Sequence, residues 1–196
     1  FSGGGAGYFR IRPQGRAATL AVPKPRDTTR QATVATIDEV TQRLGEAFRN
    51  VEQNRGAPGP DGLPVEQMRE HLDEWMPLLQ SHLLDGDYTP GDIRRVWIPK
   101  GKGAQRGLGI PNVIDRVVQE AVRLVLEPLY EPRFHRSSHG FRPGRSCHTA
   151  IAEAVGYVDE GYEWVVDLDL EKFFDRVNHQ RLMSRLTEVI TDKNVL

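Results

Sequence analysis

Two aspartates alternate along an apolar segment near the end of the chain. Asp167 and Asp169 lie in residues 164–170, and in a strand two such side chains point to the same face. Carboxylates at the end of a buried strand are the hard oxygen ligands that Mg²⁺ prefers, and substrate phosphates often complete its shell. Glu171 would extend the acidic row if the strand continued. The same spacing also fits an aspartate that caps the next helix or pairs with an arginine.

A second chemically active pair flanks a turn that contains glycine. Lys100 and Arg106 lie on either side of residues 101–105, and such a turn could bring both side chains to one side. Lysine offers a point charge and arginine a fork of donors, a combination suited to a triphosphate. The glycines allow close approach of a ligand to the backbone. For the turn alone, an exposed basic loop without a ligand remains the alternative.

Residues 134–145 mix basic, imidazole and aromatic side chains: Phe134, His135, Arg136, His139, Phe141, Arg142 and Arg145. Positive charge interleaved with flat rings is typical of nucleic-acid contact. The two histidines could also bind a metal, but no cysteine or carboxylate spacing supports that interpretation. Polar or structural contacts are therefore the favoured role for the histidines.

The charge distribution supports an anionic partner. Residues 93–145 hold 11 Lys or Arg against 4 Asp or Glu, whereas the rest of the 196-residue chain holds 15 basic and 23 acidic residues. A basic middle with acidic flanks indicates a surface for phosphates, although charge alone also fits a solvated helix face. One cysteine, Cys147, excludes an internal disulfide and fits a reducing, cytoplasmic setting. No apolar run approaches the roughly 20 residues of a membrane span.

The elements that must position these residues indicate an α+β fold. Residues 1–35 are rich in Gly, Pro and Ala and predict a flexible leader. Apolar spacing and turn residues then predict helices over about 36–54, 64–85, 112–130, 146–159 and 179–190, a basic β-hairpin over 93–111, and a buried strand over 163–170.

Four segments, taken together and in order, resemble one family. They are NRGAPGPDG (54–62), RRVWIPKGKGAQRGLGIPNVIDRVVQEA (94–121), LEPLYEPRFHRSSHGFRPGRSCHTAI (126–151) and VVDLDLEKFFDRVNHQRLM (165–183). This pattern is similar to the fingers and palm of bacterial group II intron reverse transcriptases. The resemblance implies the right-hand polymerase fold, with fingers over 36–160 and the first part of the palm, containing the first catalytic segment, over 161–196.

The resemblance also implies roles for single residues. Asp169 matches the first catalytic aspartate of the palm, which binds Mg²⁺ together with the backbone carbonyl of Leu170, so Asp167 becomes a neighbour. Lys100 and Arg106 match the fingers residues that hold the incoming triphosphate. Further nucleotide contacts are implied for the backbone amides of Lys172 and Phe173 and for the ring of Phe174, which stacks under the sugar and rejects a 2′-OH. Template or nucleic-acid contacts are implied for Asn54, Gly59, Asp61, Gly140, Phe141 and Arg142.

Two features depart from the family pattern. Gly107 stands where the family usually has proline after the fingers arginine, and no Asp-Asp pair, the core of the second catalytic segment, occurs in the chain. Two-metal nucleotidyl transfer needs carboxylates that hold both ions. We therefore expect a parent enzyme that uses Mg²⁺, dNTPs, a DNA primer, an RNA template and intron RNA, and a fragment that is inactive alone.

Two alternative functions stay open. Reverse transcriptases of other bacterial retroelements, such as diversity-generating, CRISPR-linked or defence types, share much of the pattern. A non-catalytic remnant that binds RNA through its basic middle is the alternative from a different class, and its binding would weaken steeply with salt.

Overall fold

The computed structural model describes residues 35–101, 103–170 and 172–196. The predicted leader lies outside these ranges apart from Ala35, as do Lys102 and Glu171. The helices are α1 (Ile37–Gln53), α2 (Val65–Glu70), α3 (Leu72–Asp85), α4 (Val113–Tyr130), α5 (Cys147–Asp159), α6 (Phe173–Arg176) and α7 (His179–Leu186), with a 3-10 turn at Glu131–Arg133. The strands are β1 (Arg94–Lys100) and β2 (Ala104–Ile110). Helices with one two-stranded sheet agree with the α+β expectation.

Helix α1 begins at a capping box formed by Thr36 and Glu39. The Thr36 hydroxyl accepts from the Glu39 N–H, and the Glu39 carboxylate accepts from the Thr36 N–H, both at 3.3 Å. The carboxylate of Asp192, far along the chain, accepts from the Ile37 N–H at 2.7 Å. An acidic group at a helix amino terminus satisfies free N–H donors and the helix dipole, so the carboxyl-terminal segment is fastened to the start of α1.

The core lies where α1 packs against α4, with α2 and α3 beside it. Its buried apolar residues include Val40, Leu44, Ala47, Phe48, Val113, Val117, Ala121 and Ile190. The predicted apolar stripes of α1 and α4 are confirmed. The predicted helix from Pro64 is divided at His71 into α2 and α3 and ends at Gly86, whose φ of 72° is left-handed. The last helix ends at Leu186 and not at 190, and a turn then carries Ile190 into the core.

Strands β1 and β2 form the predicted hairpin, with antiparallel pairs that run from Arg94↔Ile110 to Lys100↔Ala104. Apolar side chains on both of its faces are substantially exposed, including Val96, Trp97 and Leu108. Within the described part of the chain, the hairpin is the whole of the sheet.

The predicted strand over 163–170 is wrong for this structure. Residues 162–170 adopt no regular secondary structure, and Val165, Val166 and Leu168 are 86%, 80% and 86% exposed. A strand requires a hydrogen-bonded neighbour, and β1 and β2 pair with each other, so no described segment serves as one. The apolar run still has the composition of a strand, but it has no partner here that would bury it. No described helix is long and apolar enough to cross a membrane.

Candidate functional site

The hairpin register brings Lys100 and Arg106 to one face. Lys100 pairs with Ala104 and Arg106 pairs with Ile98. Residues paired across an antiparallel ladder share a face, as do residues two apart on a strand. The two basic side chains are therefore diagonal neighbours on one face, as their spacing predicted. Arg94 lies on the same face at the far end of the hairpin, opposite Ile110.

Gly107, the departure from the family pattern, lies on the other face, where it pairs with Trp97. A Cβ atom at position 107 would lie 3.3 Å from Trp97 Cζ3, closer than most real Cβ contacts. The missing side chain thus makes room for the indole, which rests against the strand.

The first turn of α4 fastens the segment over 54–62. The Asn112 side chain does not cap its own helix; its Oδ1 instead accepts from the Asp61 N–H at 3.2 Å. One turn on, Arg116 Nη2 donates to the Ala57 carbonyl at 2.9 Å. Gly59 is buried against the start of α4, where a Cβ atom would lie 2.6 Å from the Asn112 backbone. We call Asn112, Asp115 and Arg116 the α4 clamp.

Asp115, the middle member of the α4 clamp, holds the chain that leads into β1. This carboxylate is 3% exposed; it accepts from the Tyr88 hydroxyl and, at 3.3 Å, from the Gly91 N–H. Burial, followed by the hydrogen bond and charge of Asp115, raises the pKa of Tyr88 above its ordinary value. One helix turn therefore fixes both the 54–62 segment and the base of the hairpin.

The predicted template residues of the 54–62 segment are placed by these contacts. Asn54 ends α1 as its C-cap. Asp61 Oδ1 accepts from the Leu63 N–H at 3.1 Å, which closes a local turn. The backbone of this segment is thus held rigidly while residues 60–63 stay exposed.

Arg142 is engaged inside the basic loop over 134–145. Its guanidinium donates to the Glu131 carboxylate at 2.7 and 3.0 Å and to the carbonyls of His135 and Ser138 at 2.8 Å. Its side chain is 8% exposed, and its Cζ lies 5.3 Å from the Phe134 ring centroid. A nucleic-acid role for Arg142 stays a prediction, but these contacts favour a role in closing the loop.

Glu153 of α5 fixes the same loop from the other side. Its carboxylate accepts from Ser137 Oγ at 2.5 Å and the Tyr157 hydroxyl at 2.9 Å, and it contacts His139 Nε2 at 2.8 Å. These hydrogen bonds, that of Ser137 first, lower the pKa of Glu153 to about 2. His139 is thus a structural residue, as favoured from sequence. Within the described residues, no three His, Cys, Asp or Glu side chains are grouped to hold a metal ion.

The loop presents Phe141 outward. Gly140 and Phe141 lie at its tip, and Phe141 is 109% exposed with a φ of 55°. A left-handed backbone is costly for a residue with a Cβ atom, and the contacts of Arg142 next to it hold this turn in place. An aromatic ring with no cover is suited to stacking on a base.

The candidate catalytic residues lie in an exposed stretch. Asp169 and Leu170 belong to the uncovered 162–170 segment. Lys172 has a left-handed φ of 51° and precedes α6, where Phe173 and Phe174 meet edge to face at 5.6 Å. Among the described residues, no hydrogen bond, ion pair or ring contact joins these residues to the hairpin. The predicted nucleotide and catalytic residues therefore form two separate groups: Lys100 and Arg106 lie on the hairpin, and the others, Asp169, Leu170, Lys172, Phe173 and Phe174, lie at and before α6.

Three residues of the α4 clamp were missed by sequence reasoning. The sequence gives no sign that Asn112, Asp115 and Arg116 differ from ordinary polar residues at the start of an amphipathic helix. Their hydrogen-bond partners lie 24 to 59 positions away in the chain. No local pattern marks such contacts.

Comparison with known proteins identifies the class. A family model described as reverse transcriptase (RNA-dependent DNA polymerase) matches residues 98–196. The chain belongs to this reverse transcriptase family, and it is similar to group II intron-encoded proteins and intron maturases. The resemblance stated from the four sequence segments is thereby confirmed.

Individual relatives are similar over 44% to 80% of the chain. Protein YkfC of Escherichia coli is 40% identical over 155 residues, which cover 76% of this chain and 41% of that protein. The group II intron-encoded protein LtrA of Lactococcus lactis is 37% identical over 174 residues, 80% of this chain and 28% of LtrA. Nuclear intron maturase 1 of Arabidopsis thaliana is 42% identical over 86 residues, 44% of this chain and 12% of that protein. The chain thus spans less than half the length of each of these relatives.

Proposed function

We propose that this chain is the fingers and first palm segment of an RNA-directed DNA polymerase that belongs to a group II intron retroelement. The observation that carries the proposal is the shared face of Lys100 and Arg106 on the hairpin. Two cations at diagonal positions can engage neighbouring phosphates of one dNTP, because arginine binds two oxygens at once and lysine supplies a mobile charge.

The remaining nucleotide contacts come from the segment after Asp169. The backbone amides of Lys172 and Phe173 bind the phosphates, and Phe174, which is 87% exposed, lies under the sugar. A bulky ring in that position excludes a 2′-OH by steric overlap. This role requires that other parts of the protein bring the segment to the hairpin.

The donors present fit Mg²⁺ in part. Asp169 and the Leu170 carbonyl are hard oxygen ligands of the kind that Mg²⁺ takes, and no described ion pair or hydrogen bond occupies the Asp169 carboxylate. When bound, the metal would neutralise charge on the triphosphate and activate a primer 3′-OH. Asp169 alone does not supply the ligands for two ions, so these 196 residues are inactive without further carboxylates.

The RNA template passes the segment that contains Asn54, Gly59 and Asp61 and the tip formed by Gly140 and Phe141, with Arg142 holding that tip. The DNA primer meets Asp169. In the longer parent, the basic middle also binds intron RNA and assists splicing. The domain limits of 36–160 and 161–196, the right-hand arrangement and a cytoplasmic setting belong to the same proposal.

Primer extension tests the proposal. An RNA template with a DNA primer is extended by the longer protein that carries this chain, and Asp169→Asn reduces extension to background. Asp167→Asn is the matched control, because it changes a neighbouring exposed carboxylate and leaves activity near wild type. Extension by the 196-residue chain above its own Asp169→Asn variant would refute the inactivity of the chain, and full activity of the long Asp169→Asn variant would refute the catalytic role.

A second candidate function is RNA binding without catalysis. The excess of positive charge over residues 93–145 favours it, and it needs neither Asp169 nor Phe174. Salt-sensitive RNA binding together with no extension by the longer protein would select this alternative. Other retroelement reverse transcriptases would extend primers equally, and failure to assist splicing of a group II intron would point to them.

A further inference from the structure

The hairpin has a second face to which the proposed polymerase function gives no role. Alternation places Arg95 and Trp97 of β1 on the side opposite Lys100, together with Gln105, Gly107 and Gly109 of β2. We call this side the tryptophan face. Two of its three β2 positions are glycine, and neighbouring side chains lie against both: the Trp97 ring against Gly107 and Ile93 Cγ2 against Gly109.

The indole of Trp97 lies flat on the backbone at Gly107. A Cβ atom at Gly107 would lie 3.3, 3.6 and 3.7 Å from Cζ3, Cη2 and Cε3, three atoms of the six-membered ring. Trp97 is nevertheless 56% exposed. One side of the ring is thus supported by the strand, and the ring offers a fixed aromatic surface to the outside.

Charge on and around the tryptophan face is positive. The Arg95 guanidinium carbon lies over the Trp97 ring, 5.9 Å from its centroid, at the outer limit of a cation–π contact. Residues 93–114 contain five Lys or Arg and no Asp or Glu. A ligand that complements this surface is anionic and has flat, stackable groups.

We propose that the tryptophan face binds an unpaired RNA strand, with a base stacked on Trp97 and a neighbouring phosphate on Arg95. Supported aromatic rings flanked by arginine are the arrangement that binds single strands regardless of sequence. The choice of RNA over DNA rests on the proposed function, in which the enzyme acts on RNA. The surface is distinct from the face that carries Lys100 and Arg106, so one hairpin binds nucleotide on one side and RNA on the other.

Fluorescence anisotropy with labelled oligo(U) and oligo(dT) of 12 nucleotides tests the proposal on the chain itself. Trp97→Ala weakens oligo(U) binding about tenfold, the loss typical of one stacked base, and Trp97→Phe retains most of the affinity. Arg95→Gln makes the affinity for oligo(U) less dependent on salt concentration, by the amount expected for the loss of about one phosphate contact. Leu108→Ala, which removes an exposed apolar side chain from the opposite face, is the matched control and leaves affinity unchanged. Equal affinity of Trp97→Ala and wild type would overturn the proposal, and tighter binding of oligo(dT) than oligo(U) would overturn the assignment to RNA.

Photocrosslinking gives a readout that needs no variant. An oligo(U) that carries 5-iodouridine crosslinks to Trp97 in the wild-type chain, as located by mass spectrometry; crosslinking at Trp164, which is also half exposed, without Trp97 would overturn the proposal. Binding of dTTP separates this inference from the proposed function. Trp97→Ala leaves the affinity for dTTP unchanged. If the chain binds oligo(U) through Trp97 but does not bind dTTP, only the proposed nucleotide role of the hairpin is refuted.

Discussion

Replacing Asn112 and Arg116, the two members of the α4 clamp that contact the 54–62 segment, loosens that segment without unfolding the helices. The segment is held by the bond from the Asp61 N–H to Asn112 and by the bond from Arg116 to the Ala57 carbonyl. Each contributes about 1 kcal/mol net, so the double variant Asn112→Ala/Arg116→Gln loses about 2 kcal/mol of local stability. Since about 1.4 kcal/mol is a factor of ten, the opening equilibrium of the segment rises roughly 30-fold.

Native-state hydrogen exchange measures this opening residue by residue. The Asp61 amide loses roughly 30-fold protection in the double variant and about fivefold in Asn112→Ala alone, while amides inside α1 keep theirs. Arg123→Gln is the matched control, because Arg123 lies on α4 but pairs with Glu120 and does not contact the segment. Unchanged exchange at Asp61 in the double variant, or an equal loss throughout α1, would refute the clamp as the device that holds the segment.

Three further predictions concern stability. Tyr88→Phe lowers the free energy of unfolding by about 1–3 kcal/mol because the buried Asp115 loses a hydrogen-bond donor. Since folding raises the pKa of Tyr88, the wild-type free energy of unfolding is full below about pH 10 and falls above it. Urea titrations of the variant should lack that alkaline fall, and a fall retained in the variant would contradict the prediction. Glu153→Gln abolishes an acid transition of the 134–145 loop. Because folding lowers the pKa of Glu153 to about 2, its ionised carboxylate stabilises the fold above the unfolded-state pKa of about 4.5, and this stabilisation is lost as the pH falls towards 2. Amide hydrogen exchange of the loop, measured from pH 5 to 2, would contradict the prediction if variant and wild type show the same pH dependence. Gly59→Ala lowers the free energy of unfolding by about 1–3 kcal/mol, because the added Cβ atom overlaps the α4 backbone. Gly45→Ala, where a Cβ atom meets open space, raises the free energy of unfolding by up to about 1 kcal/mol. Equal melting temperatures for the two variants would refute the packing argument.

Elements set by local chemistry could be predicted from the sequence. The capping box at Thr36 and the apolar stripe of α1 depend on residues three and four apart, and the structure has both. The hairpin could be predicted because glycines and a basic turn separate two short strand-like runs. The shared face of Lys100 and Arg106 then followed from strand alternation.

Features that depend on distant partners could not be predicted. The 163–170 run has strand composition, but composition does not show whether a neighbouring strand is available, and here none of the described residues pairs with it. Arg142 looked like a free nucleic-acid contact, whereas its link to Glu131 depends on how the loop folds back. The Asp115 contacts to Tyr88 and Gly91 are equally non-local.

Binding of dTTP with Mg²⁺ to the chain tests most directly the central claim, that the hairpin is the nucleotide-binding element of a reverse transcriptase. Amide chemical shifts over residues 98–106 should move on titration, and Lys100→Ala and Arg106→Ala should each weaken binding about tenfold, the loss expected for a charge-assisted contact. Arg94→Ala removes an equal charge from the far end of the same face and should change affinity little. Absence of hairpin shifts, or a loss in Arg94→Ala as large as in Lys100→Ala, would contradict the account, because binding would then be absent or set only by overall charge.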